Sequence, residues 1–245
     1  MQEQSVADTI EFAKLYYKDT PSIHRRTLLQ HAVAVAKMSE QIARKLYQDV
    51  REDFFGDDTQ ESVATIVHAA LLHDVINVGR CAFEHIAERT TVKIATMVAD
   101  LSRDYRLIET KRDMEYRGRL SCSLIGTQII AVADILCSTK EIIDLVTDRG
   151  LEATQKARKI LMQLDGDLLV IHSNNRFYTL RLYTHAAQNL LQDANKLIKD
   201  CRAQARKAKA DQAAEARIRS RLAAKHAQSE VHTEKERSRG KKRAS

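Results

Sequence analysis

The stretch HAALLHDVINVGR, residues 68–80, places a histidine and an aspartate side by side after an apolar run. Imidazole nitrogens and carboxylate oxygens are both ligands that divalent metals accept in proteins. A metal site needs several such donors, and side chains on rigid, crossing helices bring them together most reliably. His73 and Asp74 therefore predict half of a metal site whose other ligands come from distant parts of the sequence. The alternative is a helix cap or a local ion pair.

Two further residues are candidates for the other half of that site. His31 lies near the start of the apolar helix LLQHAVAVA, and Asp134 interrupts the apolar run IIAVADILCS. An aspartate is almost never fully buried unless it is paired or bound to a metal. His31 alone would fit a satisfied core histidine equally well. His68 precedes His73 by five residues, so we expect it to face a different environment. Three more histidines have no spacing that adds them to the site: His85, His172 and His185.

In this order, the motifs HAVAVA, AALLHD and IIAVADIL resemble the HD-domain metal-dependent phosphohydrolases, whose ligands are His, His-Asp and Asp. The sequence is similar in particular to the RelA/SpoT-type hydrolase domain, which removes the 3′-pyrophosphate from (p)ppGpp. The resemblance covers about residues 8–165. It continues after the His-Asp pair without a gap, at Glu84, Ile86, Ile94-Ala95, Val98 and Ser102-Arg103, and then in KRDMEYRGRL.

This resemblance implies a ligand set, a metal and a reaction. The ligands would be His31, His73, Asp74 and Asp134, and the metal would be Mn²⁺. The reaction would be hydrolysis of a nucleotide phosphate or pyrophosphate, with a (p)ppGpp-like substrate as first choice. The chemistry is consistent with these residue types, because an ion held by imidazoles and carboxylates lowers the pKa of bound water and polarises a phosphoryl oxygen.

The sequence departs from the family pattern at positions next to these ligands. Asn77-Val78 stands where relatives have Glu-Asp, and Ser138 stands where they have Asn. Asn77 can hydrogen-bond a water molecule but cannot deprotonate it, and Val78 can do neither. We assign to Asn77 and Ser138 the positioning of water or substrate. General-base help is typically worth about 10²–10⁴-fold. A second hypothesis is therefore a catalytically weakened HD module that binds a nucleotide for regulation.

Four basic residues are candidates for binding substrate phosphates, since guanidinium groups grip phosphates with two hydrogen bonds. They are Arg26, Arg103, Lys111 and Arg112. A solvated surface position is the alternative for each of them.

Composition and periodicity indicate an all-α fold with a basic helical C-terminal extension, and the resemblance implies that this fold is an HD-domain helical bundle. The chain has only seven glycines and one proline, too few for many short strands. Beyond residue 176, Phe177, Leu180, Thr184, Ala187 and Leu191 recur at helical spacing, which argues against a hairpin at 168–183. We predict helices at 6–18, 28–46, 60–76, 82–89, 91–103, 111–122, 124–147, 151–164 and from about 176 onward, with a loop at 47–59.

The charge of the chain is concentrated at one end. The chain has a net charge of +7, but residues 199–245 contain 15 Lys+Arg and 6 Asp+Glu, which leaves residues 1–198 at −2. We therefore divide the chain into an HD-type domain at 1–198 and a solvated, basic tail at 199–245. This tail predicts weak contact with nucleic acid or an acidic protein, and a nucleic-acid-associated protein is a third hypothesis. A solubilising extension is the alternative.

The sequence has no signal peptide and no long apolar segment, so we expect a cytoplasmic protein that does not contact the membrane. Its four scattered cysteines predict reduced thiols.

Overall fold

The computed structural model describes residues 5–18, 20–49, 62–175 and 177–241, and the regular structure in these ranges is helical. The predicted all-α fold is thereby confirmed. The helices are α1 (Val6–Tyr17), α2 (Leu28–Asp49), α3 (Val63–Leu71), α4 (Phe83–Arg89), α5 (Val92–Asp100), α6 (Glu109–Cys122), α7 (Ile125–Arg149), α8 (Thr154–Asn174) and α9 (Tyr178–Lys241). A 3₁₀ turn, Gly150–Ala153, joins α7 to α8.

Helix α7 lies at the centre of the bundle. It packs against α2, α3, α5 and α8, and its apolar run from Ile129 to Ala133 is buried. Helix α2 presents Val35, Ile42 and Leu46 to the core at helical spacing, and it packs closely against α3. The rigid pair α2 and α7 therefore carries the two segments in which the sequence places His31 and Asp134.

Local signals explain where several helices begin. Ser5 and Asp8 form a capping box at the start of α1, in which each side chain accepts a hydrogen bond from the other residue's backbone N–H. The hydroxyl groups of Ser62 and Thr91 accept hydrogen bonds from the first turns of α3 and α5. Such caps satisfy backbone N–H groups that have no partner within the helix.

The predicted helix at 60–76 is wrong at its end, because α3 stops at Leu71 and residues 72–79 form successive turns. The Tyr17 hydroxyl causes this early end. It donates a hydrogen bond to the carbonyl of Leu71 at 3.1 Å and accepts one from the backbone N–H of Asp74 at 3.2 Å. These bonds replace the helical ones at that point. His73 and Asp74 therefore lie in a turn after the helix.

The other predicted helices are confirmed to within a few residues, with two exceptions. Helix α8 continues to Asn174, ten residues beyond the predicted end at 164. Helix α2 continues to Asp49, so the start of the loop predicted at 47–59 is helical and residues 50–59 lie outside the described residues.

The chain divides into two compact units, Met1–Ile198 and Lys199–Ser245. In the first unit, α9 buries an apolar stripe that includes Leu180, Ala187 and Leu191. In the second unit, the side chains of residues 206–217 are exposed. That residues 199–245 act as a solvated tail stays a prediction. Among the described helices, none is both long enough and apolar enough to cross a membrane.

Candidate metal centre

Three of the four predicted metal ligands converge at one point. His31 from α2, His73 from the turn after α3 and Asp134 from α7 each offer one ligand atom, and these atoms lie within 4.8 Å of one another. The Nε2 atom of His31 is 3.0 Å from Oδ1 of Asp134, and the centres of the His31 and His73 rings are 5.6 Å apart. Both histidines are buried, whereas the Asp134 side chain keeps 32% exposure. This partial exposure leaves the cluster open on one side.

His73 carries a buried nitrogen without a hydrogen-bond partner. Its Nδ1 lies 2.8 Å from the carbonyl oxygen of Ala70, which can only accept, so Nδ1 carries a proton. Its Nε2 is buried and has no hydrogen-bond partner among the described residues. A buried polar atom of this kind is rare and calls for an explanation. When the ring is neutral, as metal binding requires, the Nε2 lone pair faces the cluster.

Glu141 completes the surroundings of His31, and the sequence reading missed it. Its Oε1 lies 3.0 Å from Nδ1 of His31, and its Oε2 accepts a 2.9 Å hydrogen bond from the Ser22 hydroxyl. Glu141 follows Asp134 by seven residues on α7, two helical turns, so both side chains lie on one face. A carboxylate bound to the far nitrogen of a ligating histidine fixes its ring and raises its basicity. The spacing from Asp134 was the available signal.

The fourth predicted ligand, Asp74, lies at the edge of the cluster. Its Oδ2 is 3.4 Å from Nε2 of His73, too poorly aligned for a hydrogen bond. Its Oδ1 accepts a 3.1 Å hydrogen bond from the Asn77 amide, and the Asn77 carbonyl accepts one from the backbone N–H of Arg103 at 2.9 Å. Asn77 therefore anchors Asp74 to the start of the segment after α5.

Ser138 plays an equivalent part on α7. Its hydroxyl donates a 2.9 Å hydrogen bond to Oδ1 of Asp134, one helical turn away. Both predicted catalytic residues, Asn77 and Ser138, thus hold carboxylates of the cluster. Their action on water or substrate stays a prediction.

The charges of the cluster stabilise one another. Burial lowers the pKa of His31, but hydrogen bonds to Asp134 and Glu141 outweigh it and raise the pKa to about 10. Burial raises the pKa of Asp134 and Glu141, but their contacts with His31 outweigh it and lower both values. In Asp74, burial is outweighed chiefly by the charge of His73, and its pKa is also lowered. Two histidines beside three carboxylates make a site for a cation.

Arg103 is already engaged in the structure. Its guanidinium group donates to Asp113 at 2.7 Å and to Asp167, and it lies 3.9 Å above the centre of the Tyr116 ring. Arg112 lies over the ring of Tyr105 at 4.8 Å.

The other two predicted phosphate ligands are more accessible. Lys111 is exposed, and Arg26 is half-exposed with its Nη1 3.6 Å from Glu141. Substrate binding by Arg26, Arg103, Lys111 and Arg112 stays a prediction.

Residues 28–139 match the family model of the HD domain. The chain contains an HD domain. The matched range begins with α2 and ends within α7, at Thr139, so it includes His31, His73, Asp74 and Asp134. The HD domain thus contains the whole cluster except Glu141.

A solved structure shares the fold over most of this chain. It is described as a metazoan ortholog of SpoT that hydrolyses ppGpp and plays a role in starvation responses. The two chains are 14% identical, with a TM-score of 0.52 over 82% of this chain and 98% of the other. No curated protein matches the sequence. At this identity the likeness concerns the fold.

Proposed function

We propose that the chain is a metal-dependent phosphohydrolase that acts on a nucleotide phosphate or pyrophosphate, with a (p)ppGpp-like substrate as first choice. One observation carries the proposal: the buried Nε2 of His73, which has no hydrogen-bond partner among the described residues, lies beside His31 and Asp134 within an HD domain. The nucleotide substrate class has separate support, because the structural relative is described as hydrolysing ppGpp.

The residues present fit a divalent cation, and we propose Mn²⁺. Two imidazoles and the carboxylates of Asp134 and Asp74 would hold it, a donor set typical of metals that accept nitrogen and oxygen. Such an ion supplies Lewis acidity, which activates water and neutralises phosphate charge. The chain itself fixes the donors: Glu141 orients the His31 ring, the Ala70 carbonyl orients His73, and Ser138 and Asn77 hold the two carboxylates.

A second function, a nucleotide-binding module with weak catalysis, is favoured by the environment of Asn77. Its amide binds Asp74 and its carbonyl accepts from Arg103, so both polar ends are occupied and neither can remove a proton from water. Because general-base help is worth about 10²–10⁴-fold, turnover without it would be slow.

Turnover by the full chain tests the proposal. Hydrolysis of (p)ppGpp and a panel of nucleotides is measured with and without Mn²⁺, for the wild type and for Asp134→Asn. We expect Mn²⁺-dependent phosphate or pyrophosphate release that Asp134→Asn abolishes. The matched control is Asp144→Asn, an exposed aspartate on the same helix, which should leave turnover unchanged.

Other results of this experiment would favour the binding module or overturn the proposal. Mn²⁺ and nucleotide binding without turnover would favour the binding module. Turnover that does not require a metal, or that survives in Asp134→Asn, would overturn the proposal.

A further inference from the structure

A cavity of about 680 Å³ opens beside the metal centre. Asn77 lines it, and the same side chain contacts Asp74, so cavity and cluster share a wall. The rest of the lining comes from the turn after α3 and from the segment between α5 and α6, together with one residue each of α5 and α6. Four arginines are among the lining residues: Arg80, Arg103, Arg106 and Arg119.

Two of these arginines are neutralised by carboxylates. Arg103 binds Asp113 and Asp167, as described above. Arg106 donates two side-chain hydrogen bonds to Asp104, at 2.8 and 2.7 Å. An ion pair of this kind satisfies the guanidinium fork, so little of its charge is available to an anion.

Arg119 keeps unused hydrogen-bonding capacity. One of its terminal nitrogens donates to the carbonyl of Ser102, while its Nε is buried and has no hydrogen-bond partner among the described residues. It makes no ion pair within the described part of the chain. The fixed terminal nitrogen holds the guanidinium group at the cavity wall, so its remaining donors are oriented before an anion arrives.

Arg80 adds a second available cation at the same wall. Its side chain is exposed, and the structure gives it no ion pair with any described carboxylate. Its backbone has φ of 53°, in the left-handed region that a non-glycine residue rarely adopts. The strained turn fixes the direction in which Arg80 leaves the segment that carries His73 and Asp74.

We propose that Arg80 and Arg119 bind a second phosphate group of the substrate, apart from the phosphoryl group at the metal centre. The inference rests on the proposed function and deepens it: the preferred substrate carries phosphates at two positions. The cavity volume lies within the range of about 300–1,000 Å³ that is typical of small-molecule sites. Two guanidinium groups that make no ion pair with a described carboxylate, next to a cation site, would discriminate against substrates that carry one phosphate.

Calorimetric titration of the full chain with Mn²⁺ tests this inference. The probes are guanosine 3′,5′-bisphosphate and guanosine 5′-monophosphate. The wild type should bind the bisphosphate at least about tenfold more tightly, a ratio expected for one charge-assisted hydrogen-bonding group. Arg80→Asn and Arg119→Gln should each weaken bisphosphate binding by about tenfold and change monophosphate binding by less than about twofold.

The variants are chosen so that a folding defect does not imitate the result. Asn tolerates the left-handed backbone of residue 80, and Arg119→Lys retains the charge while losing the fork. We expect Arg119→Lys to bind the bisphosphate with intermediate affinity. Arg149→Gln removes one exposed positive charge at the end of α7 and should leave both affinities unchanged.

Failure of the inference and failure of the proposed function give different results. Turnover with unchanged bisphosphate affinity in both arginine variants would overturn the subsite alone. An equal loss of affinity for both probes would also overturn it, since the arginines would then not read a second phosphate. Arginine-dependent bisphosphate binding without any turnover would support the subsite and contradict hydrolysis.

Discussion

The two ring nitrogens of His31 contact different carboxylates, one that orients the ring and one beside the nitrogen that would bind a metal. Glu141 at Nδ1 fixes the ring, and Asp134 lies at Nε2, where a metal would also bind. The sequence could identify His31 and Asp134 because both match family motifs. It could not identify Glu141 by motif, because its role depends on a side chain 110 positions earlier in the chain.

Glu141→Gln should weaken Mn²⁺ binding while preserving the fold. The glutamine oxygen can still accept the hydrogen bond from Nδ1, but the negative charge that increases the basicity of His31 is lost. Changes to such partners typically cost about 10–100-fold in metal affinity, measured here by competition with a metal indicator. Glu88→Gln, at an exposed position on α4, is the matched control. Equal affinity of Glu141→Gln and wild type would exclude the assigned role.

The stability of the metal-free chain should fall as the pH rises from 6.5 towards 10. The His31 pKa is raised from 6.5 to about 10 in the folded chain, so in this window the folded state holds a proton that the unfolded state has released. The contribution of His31 is complete below pH 6.5 and is lost as pH approaches 10. The slope is at most about 1.4 kcal/mol per pH unit.

Urea unfolding at a series of pH values, in the presence of a chelator, measures this dependence. His31→Gln should make the decline in that window smaller, and the remainder is expected from His73, where burial lowers the pKa but the charge of Asp74 outweighs it and raises the pKa. A wild-type curve that is flat between pH 6.5 and 10 would contradict the charge assignment.

At the scale of elements, the sequence periodicity wrongly predicted a helix where the structure has the turn after α3. The apolar pattern continues through Leu72 and Val75, so a helix to residue 76 was a reasonable prediction. The hydroxyl of Tyr17, 54 residues earlier, donates a hydrogen bond to the Leu71 carbonyl, and the helix ends there. A long-range hydrogen bond of this kind leaves no local pattern. The turn also places His73 and Asp74 where α2 and α7 supply the remaining ligands.

Gly79 should be required for this turn to form. A Cβ atom there would lie 2.4 Å from Cβ of Tyr16 and 2.8 Å from the carbonyl oxygen of Val75. Gly79→Ala should therefore destabilise the chain by about 1–3 kcal/mol, as for overpacking elsewhere, and weaken metal binding by displacing His73.

Gly118→Ala is the matched control, since a Cβ atom there meets nothing within 4 Å and residue 118 is inside α6. Alanine should stabilise the chain there by up to about 1 kcal/mol. Thermal or urea unfolding measures the change in stability for both variants. If Gly79→Ala is as stable as Gly118→Ala, the tight approach of α1 to the turn would be contradicted.

At the scale of the whole molecule, helix number, order and most boundaries could be predicted, because amphipathic spacing in α1, α2, α7 and α9 reports burial directly. The extension of α8 to Asn174 could not be predicted, because the β-branched and polar residues near its end give no clear local preference. The role of residues 199–245 stays a prediction. Their positive charge is equally consistent with contact to nucleic acid and with a solubilising extension.

Metal stoichiometry of the purified full chain tests the central claim most directly. After equilibration with Mn²⁺ and removal of free ion, elemental analysis should find one Mn²⁺ per wild-type chain, and His73→Ala and Asp134→Asn should each lose it. His185→Ala, at an exposed position on α9, should keep it. A wild-type chain that binds no divalent metal, or variants that retain a full equivalent, would contradict a metal centre built on His31, His73 and Asp134.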